Sequence, residues 1–486
     1  MSTQGPKRRI LGEELRRPIA PAWWPAATFI PILSGALWLW WASRSPWPGL
    51  LDLPPGILLL ATGVSGLFFD RDPRLFQYMT FGSFVGMVLA LPSMFVFGVG
   101  PGLLLLGGSF LSFLSAGYLA VGQEPVPAGV PVPKLDARLA LKAAGDELTI
   151  GAIVWSTWPM TLGPRATRVR AEMEAAYELF DGAGWLDSPR GYHREPPPLE
   201  KATSRERRYL GHRFEQLSFE SGYEPWAEEP GRERWLAYER NRTAHAWVLR
   251  HPGGQRPWLV CVHGIRMGSP WKDLTLFKPD YLHKELGLNL LFPVLPIHGP
   301  RRTGLVSGGR ILTGDLMDTL HAASQAMWDI RRLLGWLEYE EAPAIGALGH
   351  SLGGYSAALL SCLDGRLDCV VVGNPATDFT RMFWRNTPAV AARYMQHQGV
   401  WRGLQAELTK VVSPLQMDPL LPRDRRAIFG GVADRVVPIS ETNNLWRHWG
   451  EPPIAWYEGT HRGFLRELEA RQLLKATLGD AGLLRV

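Results

Sequence analysis

The run Gly349-His350-Ser351-Leu352-Gly353-Gly354 sets a serine between glycines in the pattern G-x-S-x-G. It follows the apolar stretch Ala344 to Leu348 and opens a helix-like run, Tyr355 to Leu363. Strand, tight turn and helix is the context that holds a serine in a strained conformation at a sheet edge. Side chains beside it would collide across so sharp a turn, which gives the flanking glycines a physical role. Ser351 is then expected to be exposed at a helix N-terminus, where the dipole and free amides favour a developing negative charge. A serine hydroxyl is a poor nucleophile until a base takes its proton, and that base needs a carboxylate to fix its tautomer. Both follow in the chain. Asp434 lies in Val432-Ala433-Asp434-Arg435-Val436-Val437-Pro438, after the apolar run Ala427 to Gly431. His461 lies in Glu458-Gly459-Thr460-His461-Arg462-Gly463, after Ile454 to Tyr457. A fourth element, Cys261-Val262-His263-Gly264-Ile265-Arg266-Met267-Gly268, ends an earlier apolar run. Its Ile265 amide and that of Leu352 are the expected oxyanion donors.

Each assignment has a rival. Asp378, in Gly373-Asn374-Pro375-Ala376-Thr377-Asp378, also follows a strand and competes with Asp434 as the acid. His448 sits in a helical run and reads as structural, and His298 follows another strand end. Arg301 and Arg302 have the chemistry to bind a carboxylate or phosphate, with a solvated loop as the plainer reading. His263, Gly264 and His350 flank the reacting groups and complete, with Phe383 and Trp384, the expected substrate-facing set. Histidines beside such motifs are more often engaged in loop packing than in proton transfer. Phe383 and Trp384 belong to an insertion at about 374–425 that also holds Phe379, Met382, Tyr394, Met395 and Trp401. That composition fits a cap over an apolar or acyl pocket, and ordinary cap packing would use the same residues.

These loops need elements to position them. From about residue 205 short β-rich runs alternate with helical patterns, the signature of a mostly parallel sheet with helices on both faces. The clearest strands are Trp258 to Val262, Leu288 to Leu295, Ala344 to Leu348, Asp368 to Gly373, Ala427 to Gly431 and Ile454 to Tyr457.

With strand order, HG loop, GHSLGG turn, DRVVP acid loop and GTHRG histidine loop in place, residues 205–486 resemble the α/β-hydrolase superfamily. The resemblance covers a little over half of the chain and implies a Ser351, Asp434, His461 triad. It implies no metal and no organic cofactor. It does not fix a substrate, because the superfamily includes esterases, lipases, thioesterases, peptidases and acyltransferases.

The N-terminal part departs from that pattern. Residues 20–123 carry only six charged side chains, Arg44, Asp52, Asp70, Arg71, Asp72 and Arg74, whereas the rest of the chain has the usual density of about one in four. Four apolar stretches, 22–43, 49–69, 75–97 and 101–122, each approach the roughly 20 residues that cross about 30 Å of hydrocarbon. The second is the weakest, because Pro54 and Pro55 interrupt it. Turns are expected at Arg44-Ser45-Pro46, at Asp70 to Arg74, and at Gly98 to Pro101. Lys7, Arg8, Arg9, Arg16, Arg17, Arg71, Arg74, Lys134, Arg138 and Lys142 fall on one side of the spans, and only Arg44 on the other. The positive-inside rule then puts both termini in the cytoplasm of a multi-pass cell-membrane protein. Trp23, Trp24, Trp38, Trp40, Trp41 and Trp47 flank the first span as an interfacial belt. Gly82 with Gly86, and Gly108 with Ser112 and Ala116, would let helices approach closely, within the bundle or in self-association, with lipid-facing filler as an equal reading.

The expected organisation is therefore a basic segment (1–21), a four-helix transmembrane region (22–122), a Pro-rich linker and helical connection (123–204) and a catalytic domain (205–486). Within the connection, Val169, Met173, Ala176, Tyr177 and Phe180 predict an amphipathic helix over 166–180, packed on one face. Residues 148–163 are too short, with Pro159 inside, for a fifth span and read as an interfacial or buried element. Cys261, Cys362 and Cys369 have no CxxC or metal-like spacing and read as small buried hydrophobes. A net charge of +6 is spread and interleaved with acids, which argues against nucleic acid as a partner. An aromatic content of 11% excludes disorder for most of the chain. The sequence reads as a membrane-anchored serine hydrolase of the esterase or lipase type, acting beside the lipid bilayer on a small ester or lipid-like substrate. The alternatives are acyl transfer, thioester or peptide cleavage at the same site, or a catalytically silent membrane scaffold.

Overall fold

A computed structural model describes residues 9–10, 13–14, 16–19, 21–44, 49–69, 72–157, 163–209, 211–253 and 255–484. Lys7, Arg8, Ser45, Pro46, Trp47, Asp70, Arg71 and Pro159, which enter the topology reading, lie outside them. The chain divides into two compact units. One comprises Met1–Trp155 with Gly431–Ser440 and Glu458–Arg462, and the other comprises Ser156–Gly430, Glu441–Tyr457 and Gly463–Val486. The acid and histidine loops thus fold with the N-terminal unit, although the second unit surrounds them in sequence.

The second unit is built on nine strands: β1 (Thr203–Tyr209), β2 (His212–Glu220), β3 (Thr243–Leu249), β4 (Trp258–Val262), β5 (Asn289–Val294), β6 (Ile345–His350), β7 (Cys369–Gly373), β8 (Arg426–Gly431) and β9 (Ile454–Tyr457). They form one sheet in the order β9-β8-β7-β6-β4-β5-β3-β2-β1. β5, β4, β6, β7 and β8 pair in parallel, and β1, β2, β3 and β5 pair antiparallel. This crossing order around β4 and β5, with a helix after β6, is the α/β-hydrolase fold.

Burial explains which strands the sequence announced. Every residue of β4, β6 and β7 is buried, as expected of parallel strands covered on both faces. Their side chains alternate between two cores. Val260, Val262, Ala347, Val370 and Val372 enter one, with the helices Leu316–Tyr339 and Leu352–Leu363. Leu259, Cys261, Leu348, Cys369 and Val371 enter the other, with the helix Leu468–Asp480. The three cysteines are free and buried. β1, by contrast, is exposed along its whole length and rich in Arg and Glu. Charge on an edge strand blocks further pairing, and it also hides the strand from a hydrophobicity reading. β6 runs two residues further than the apolar pattern suggests, through Gly349 and His350, directly into the serine turn.

The first unit contains the helices α1 (Phe29–Ala42, led by a 3-10 turn Trp24–Thr28), α2 (Gly49–Phe68), α3 (Pro73–Phe97) and α4 (Val99–Gln123). Four helical segments, Trp24–Ala42, Leu50–Phe68, Pro73–Phe97 and Val99–Gln123, are long and apolar enough to cross a membrane. They alternate in direction. At one end Gly122 meets the Trp24 ring and Gly66 meets Thr28, and at the other Ser93 Oγ donates to Asp52 Oδ1 at 3.2 Å and Gly102 abuts Met94. Pro54 and Pro55 lie within α2 and do not end it. The small residues are used inside the bundle. Gly82 faces Leu58, Gly108 faces Ser34, and Gly86 faces Ser109, whose hydroxyl accepts the Trp38 indole N–H at 3.0 Å. Leu33, Val88, Leu91, Phe95, Leu104 and Phe110 point outward and stay exposed.

One expectation about the connection is corrected. Residues 148–155 are the last turns of a longer helix, α5 (Ala137–Trp155), with Ile150 and Gly151 buried. α5 presses on α4 so closely that a Cβ on Gly117 would lie 1.8 Å from the Ala140 carbonyl oxygen, and its Trp155 ring packs on Phe81 and Tyr78. The amphipathic helix is α6 (Pro164–Gly182), with Val169, Met173, Ala176 and Phe180 buried as expected. Tyr177 is exposed, because its place in the helical repeat falls beside the buried stripe rather than on it.

Candidate active site

The serine loop is dictated by sterics. Ser351 has φ 61° and ψ −122°, a strained backbone for a residue with a side chain. Its N–H donates to the Gly373 carbonyl at 2.9 Å and its own carbonyl accepts from the Tyr355 N–H at 3.0 Å, pinning the turn to β7 and to the helix. A Cβ on Gly349 would lie 2.0 Å from the Gly353 oxygen, and one on Gly353 would lie 1.8 Å from the Val262 oxygen. One on Gly354 would reach 2.8 Å from the Gly373 oxygen. Glycine is required at all three. Ser351 is not exposed as expected: it is 5% accessible, because the β4 loop overlies it and an added Cβ on Gly264 would sit 3.3 Å from its own Cβ. Leu352 begins the helix, so its amide is one of the first-turn N–H groups that the helix itself cannot satisfy.

The loop after β4 is braced from beneath. His263 Nδ1 donates to the Gly264 carbonyl at 2.8 Å, and its Nε2 accepts the Leu295 N–H at 3.1 Å. This fixes a neutral tautomer, and burial holds its pKa below the ordinary value. Asp273 Oδ1 accepts the Gly268 N–H at 3.0 Å, and Lys272 donates to the Arg266 carbonyl at 2.7 Å, with Arg266 at φ 67°. Ile265 packs, partly buried, against the same core as Leu352.

The acid and histidine loops are held by charge. Asp434 Oδ1 accepts the N–H groups of Val436 and Val437, both at 2.9 Å, and Oδ2 lies 2.7 Å from His461 Nδ1. A carboxylate at that distance requires the proton on Nδ1 and leaves Nε2 as the basic nitrogen. Ala433 N–H donates to the Gly459 carbonyl at 3.0 Å, joining the two loops. Burial alone would lower the pKa of His461. Asp434 and Asp146 outweigh it and hold the imidazole above its ordinary value.

Asp146, on α5, was not among the sequence candidates. Its Oδ2 accepts the His461 N–H at 2.9 Å and the Arg435 N–H at 3.3 Å. Next to it, Glu147 receives the Arg435 guanidinium at 2.7 Å, and Glu124, just beyond α4, receives it at 2.5 Å. The available signal was an acidic pair, Asp146-Glu147, inside a largely apolar helix.

The rivals find other work. Asp378 caps the helix Phe379–Asn386 by accepting the Arg381 N–H at 2.8 Å. His448 faces the Met417 carbonyl at 3.1 Å. His298 is buried beside His263, with ring centroids 5.1 Å apart, and its pKa is pushed well down by burial and then by His263. Arg301 is neither a ligand site nor a solvated loop residue. It is fully buried, pairs with Asp329 at 2.8 Å and donates to the Val294 and Asn241 carbonyls. His350 stacks on Phe464 at 4.8 Å. Phe383 packs against Trp384, whose indole donates to Gln405 at 2.5 Å within the insertion. Among the described residues no three His, Cys, Asp or Glu side chains are grouped to hold a metal ion.

Residues 315–474, which contain Ser351, Asp434 and His461, match a family described as "Uncharacterised protein family (UPF0227)". Over 388 residues the chain is 38% identical to "Uncharacterized protein MT2702" of Mycobacterium tuberculosis (strain CDC 1551 / Oshkosh), covering 78% of this chain and 92% of that protein. It is 37% identical, with the same coverage, to "Uncharacterized protein Rv2627c" of strain ATCC 25618 / H37Rv. The chain belongs to the family of these two mycobacterial proteins. Among solved structures, acetyl xylan esterase 1 from Thermoanaerobacterium sp. JW/SL YS485 is similar at 16% identity and a TM-score of 0.42, covering 61% of this chain and 93% of that one. A cold-adapted esterase from an Arctic intertidal metagenomic library is similar at 14% identity and a TM-score of 0.37, covering 59% and 100%. Likeness at this level carries neither substrate nor mechanism across to the mycobacterial family.

Proposed function

We propose that this protein is a membrane-anchored serine hydrolase that cleaves a carboxylic ester through Ser351, His461 and Asp434. The observation that carries the reading is the conformation of Ser351, a strained serine between three obligatory glycines at the N-terminus of a helix. Backbone strain of this kind persists where the surrounding structure over-determines it, and it clusters at reactive positions. The Nδ1–H tautomer of His461, fixed by Asp434, supplies the basic nitrogen such a serine needs. In the proposed reaction Ser351 Oγ attacks the carbonyl carbon while His461 Nε2 takes its proton. The Ile265 and Leu352 amides receive the oxyanion, and the protonated His461 returns its proton to the leaving alcohol. Water, deprotonated by His461, then releases the acid from the acyl-serine. Outward-facing apolar residues on four span-length helices support the bilayer as its setting, and the basic residues favour a cytoplasmic catalytic domain. The aromatic and Met content of the insertion supports an apolar or lipid-derived acyl group.

A fluorophosphonate probe on the full-length protein tests the nucleophile. Labelling of wild type and its loss in Ser351→Ala are expected, and equal labelling of both would reject the assignment. A reporter fused to the C-terminus tests the topology, and a signal from outside the cytoplasm would overturn it.

A further inference from the structure

We propose that Asp146 is a positioning residue for the His461–Asp434 pair, so that the helix following the apolar bundle completes the catalytic site. The proposal rests on the triad reading and goes beyond it, because it makes the N-terminal part of the chain a component of catalysis as well as an anchor.

The geometry is one of convergence on a single carboxylate. Asp146 Oδ2 accepts the backbone N–H of His461 from one loop and that of Arg435, the residue after Asp434, from the other. One oxygen therefore sets the height of both loops above α5. Neighbouring contacts reinforce it. The Arg435 guanidinium, 2% exposed, lies between Glu147 on α5 and Glu124 at the end of α4. Arg462 donates to the Gly145 carbonyl at 3.0 Å and to the Thr149 hydroxyl, and its Nε is 4.0 Å from Asp146 Oδ1. Gly431 has no room for a Cβ, which would lie 2.8 Å from the Gly459 and Thr460 carbonyl oxygens. The two loops are thus pressed together and held to residues 124–149 by the Asp146 carboxylate and by the Arg435 and Arg462 side chains.

Burying a carboxylate is unfavourable unless its partners compensate, and Asp146 is 1% exposed. Burial, and then the Asp434 charge, push its pKa up to about 7. The charged groups facing it are Asp434, His461 and Arg462, and the adjacent Glu147 and the Arg435 whose N–H it accepts pair with each other and with Glu124. Those facing His461 are Asp434, Asp146 and Arg462. A second acid at this place favours the imidazolium that forms when Ser351 loses its proton, and it shifts the pH at which the free base becomes available. Hydrogen bonds from both loop backbones to that acid explain why it is tolerated in the interior.

The test uses full-length protein in detergent and two variants that separate charge from anchorage. Asp146→Asn keeps an oxygen acceptor and removes the charge, and Asp146→Ala removes both. The readout is the rate of fluorophosphonate labelling of Ser351 across pH 5 to 9, with the His461 imidazole titration followed by NMR on histidine-labelled protein. Asp146→Asn is expected to move the acid limb and the imidazole midpoint to lower pH by on the order of one unit. Asp146→Ala is expected to lower the plateau rate by about 10²-fold, as misplacement of a catalytic group by about 1 Å does. An unchanged limb in the first variant together with a wild-type plateau in the second overturns the proposal. If wild type is not labelled at all, the nucleophile reading fails while this one is still decided by the imidazole midpoint. A midpoint that is the same in wild type and Asp146→Asn rejects it.

Discussion

The serine loop and the histidine–acid loops are stabilised by opposite means. Around Ser351 the chain is shaped by exclusion: Gly349, Gly353 and Gly354 stand where any Cβ would strike backbone, and the partners are residues close in sequence or on the adjacent strands. Around His461 the chain is shaped by attraction among Asp434, Asp146, Arg435, Glu147 and Glu124, with hydrogen-bonded partners up to 315 residues apart in sequence. The first device is rigid and indifferent to pH. The second is tunable, because its members titrate and because each depends on a partner elsewhere in the chain.

The largest expected effects lie on the serine side. Ser351→Ala should lower turnover of any ester substrate by about 10⁶-fold, leaving only what oxyanion donors and binding provide. Gly353→Ala should be nearly as damaging without touching a reacting atom. Its new Cβ would lie 1.8 Å from the Val262 oxygen, in a backbone that cannot yield without moving β4. A loss of about 3 kcal/mol in denaturant unfolding, equal at pH 6 and pH 8, would fit a purely steric cause. A loss that varied with pH would break the contrast drawn between the two loops.

On the other side Arg435→Met should leave Glu147 facing no cation from this loop, and breaking a buried pair in this way typically costs about 3–5 kcal/mol. Unlike Gly353→Ala, its cost should shrink at low pH, where the carboxylates left behind can take up protons. Unfolding of the variant at pH 5 and pH 8 checks this, and an equal cost at both would remove the electrostatic account.

How much of this was legible follows the same division. The turn holding Ser351 and its glycines, and the loops holding Asp434 and His461, could be placed because strand, turn and helix signals are local, and because β4, β6 and β7 are continuous apolar runs buried on both faces. The antiparallel strands β1 to β3 were not read, since β1 is Thr-Ser-Arg-Glu-Arg-Arg-Tyr and carries charge where a covered strand would carry valine. Arg301 was misread as a loop cation because its partner Asp329 lies 28 residues on, in a helix. Asp146 was missed for the same reason on a larger scale. A carboxylate whose partners lie nearly 300 residues away leaves no periodicity and no motif, only an acid in an apolar helix.

Asp146 also gives a smaller effect with a sign of its own. Its folded pKa, about 7, stands above the usual carboxylate value near 4, so the folded state favours the protonated acid. Stability from this group is present below about pH 4 and is lost as pH rises toward 7. The His461 imidazole, also held above its ordinary value, contributes in the same direction, being fully effective below about 6.5 and lost as pH passes its raised folded value. Asp146→Asn should therefore gain stability relative to wild type between pH 4 and 7 and level off above. A melting-temperature difference that is flat across that range would show that the carboxylate is not burdened by its burial, and the stability cost of holding both loops would vanish with it.

The smallest expected effect belongs to Asp378, the rival of Asp434 as the acid. Asp378 accepts the Arg381 N–H at the start of the helix Phe379–Asn386, and its own N–H donates to Glu441 at 2.9 Å. That is an N-cap, and replacing it by alanine should cost about 1 kcal/mol of stability. Asp434 spends one oxygen on two backbone N–H groups and the other on His461 Nδ1, so its replacement should disturb tautomer and loop together. Asp378→Ala should then leave the acid limb of fluorophosphonate labelling at its wild-type pH. Asp434→Asn should lower the labelling rate by about 10⁴-fold at neutral pH, the loss expected when the imidazole is held in the wrong tautomer. If the two variants exchanged these behaviours, the acid would lie after β7, and the charge cluster on α5 would brace a loop that takes no part in proton transfer.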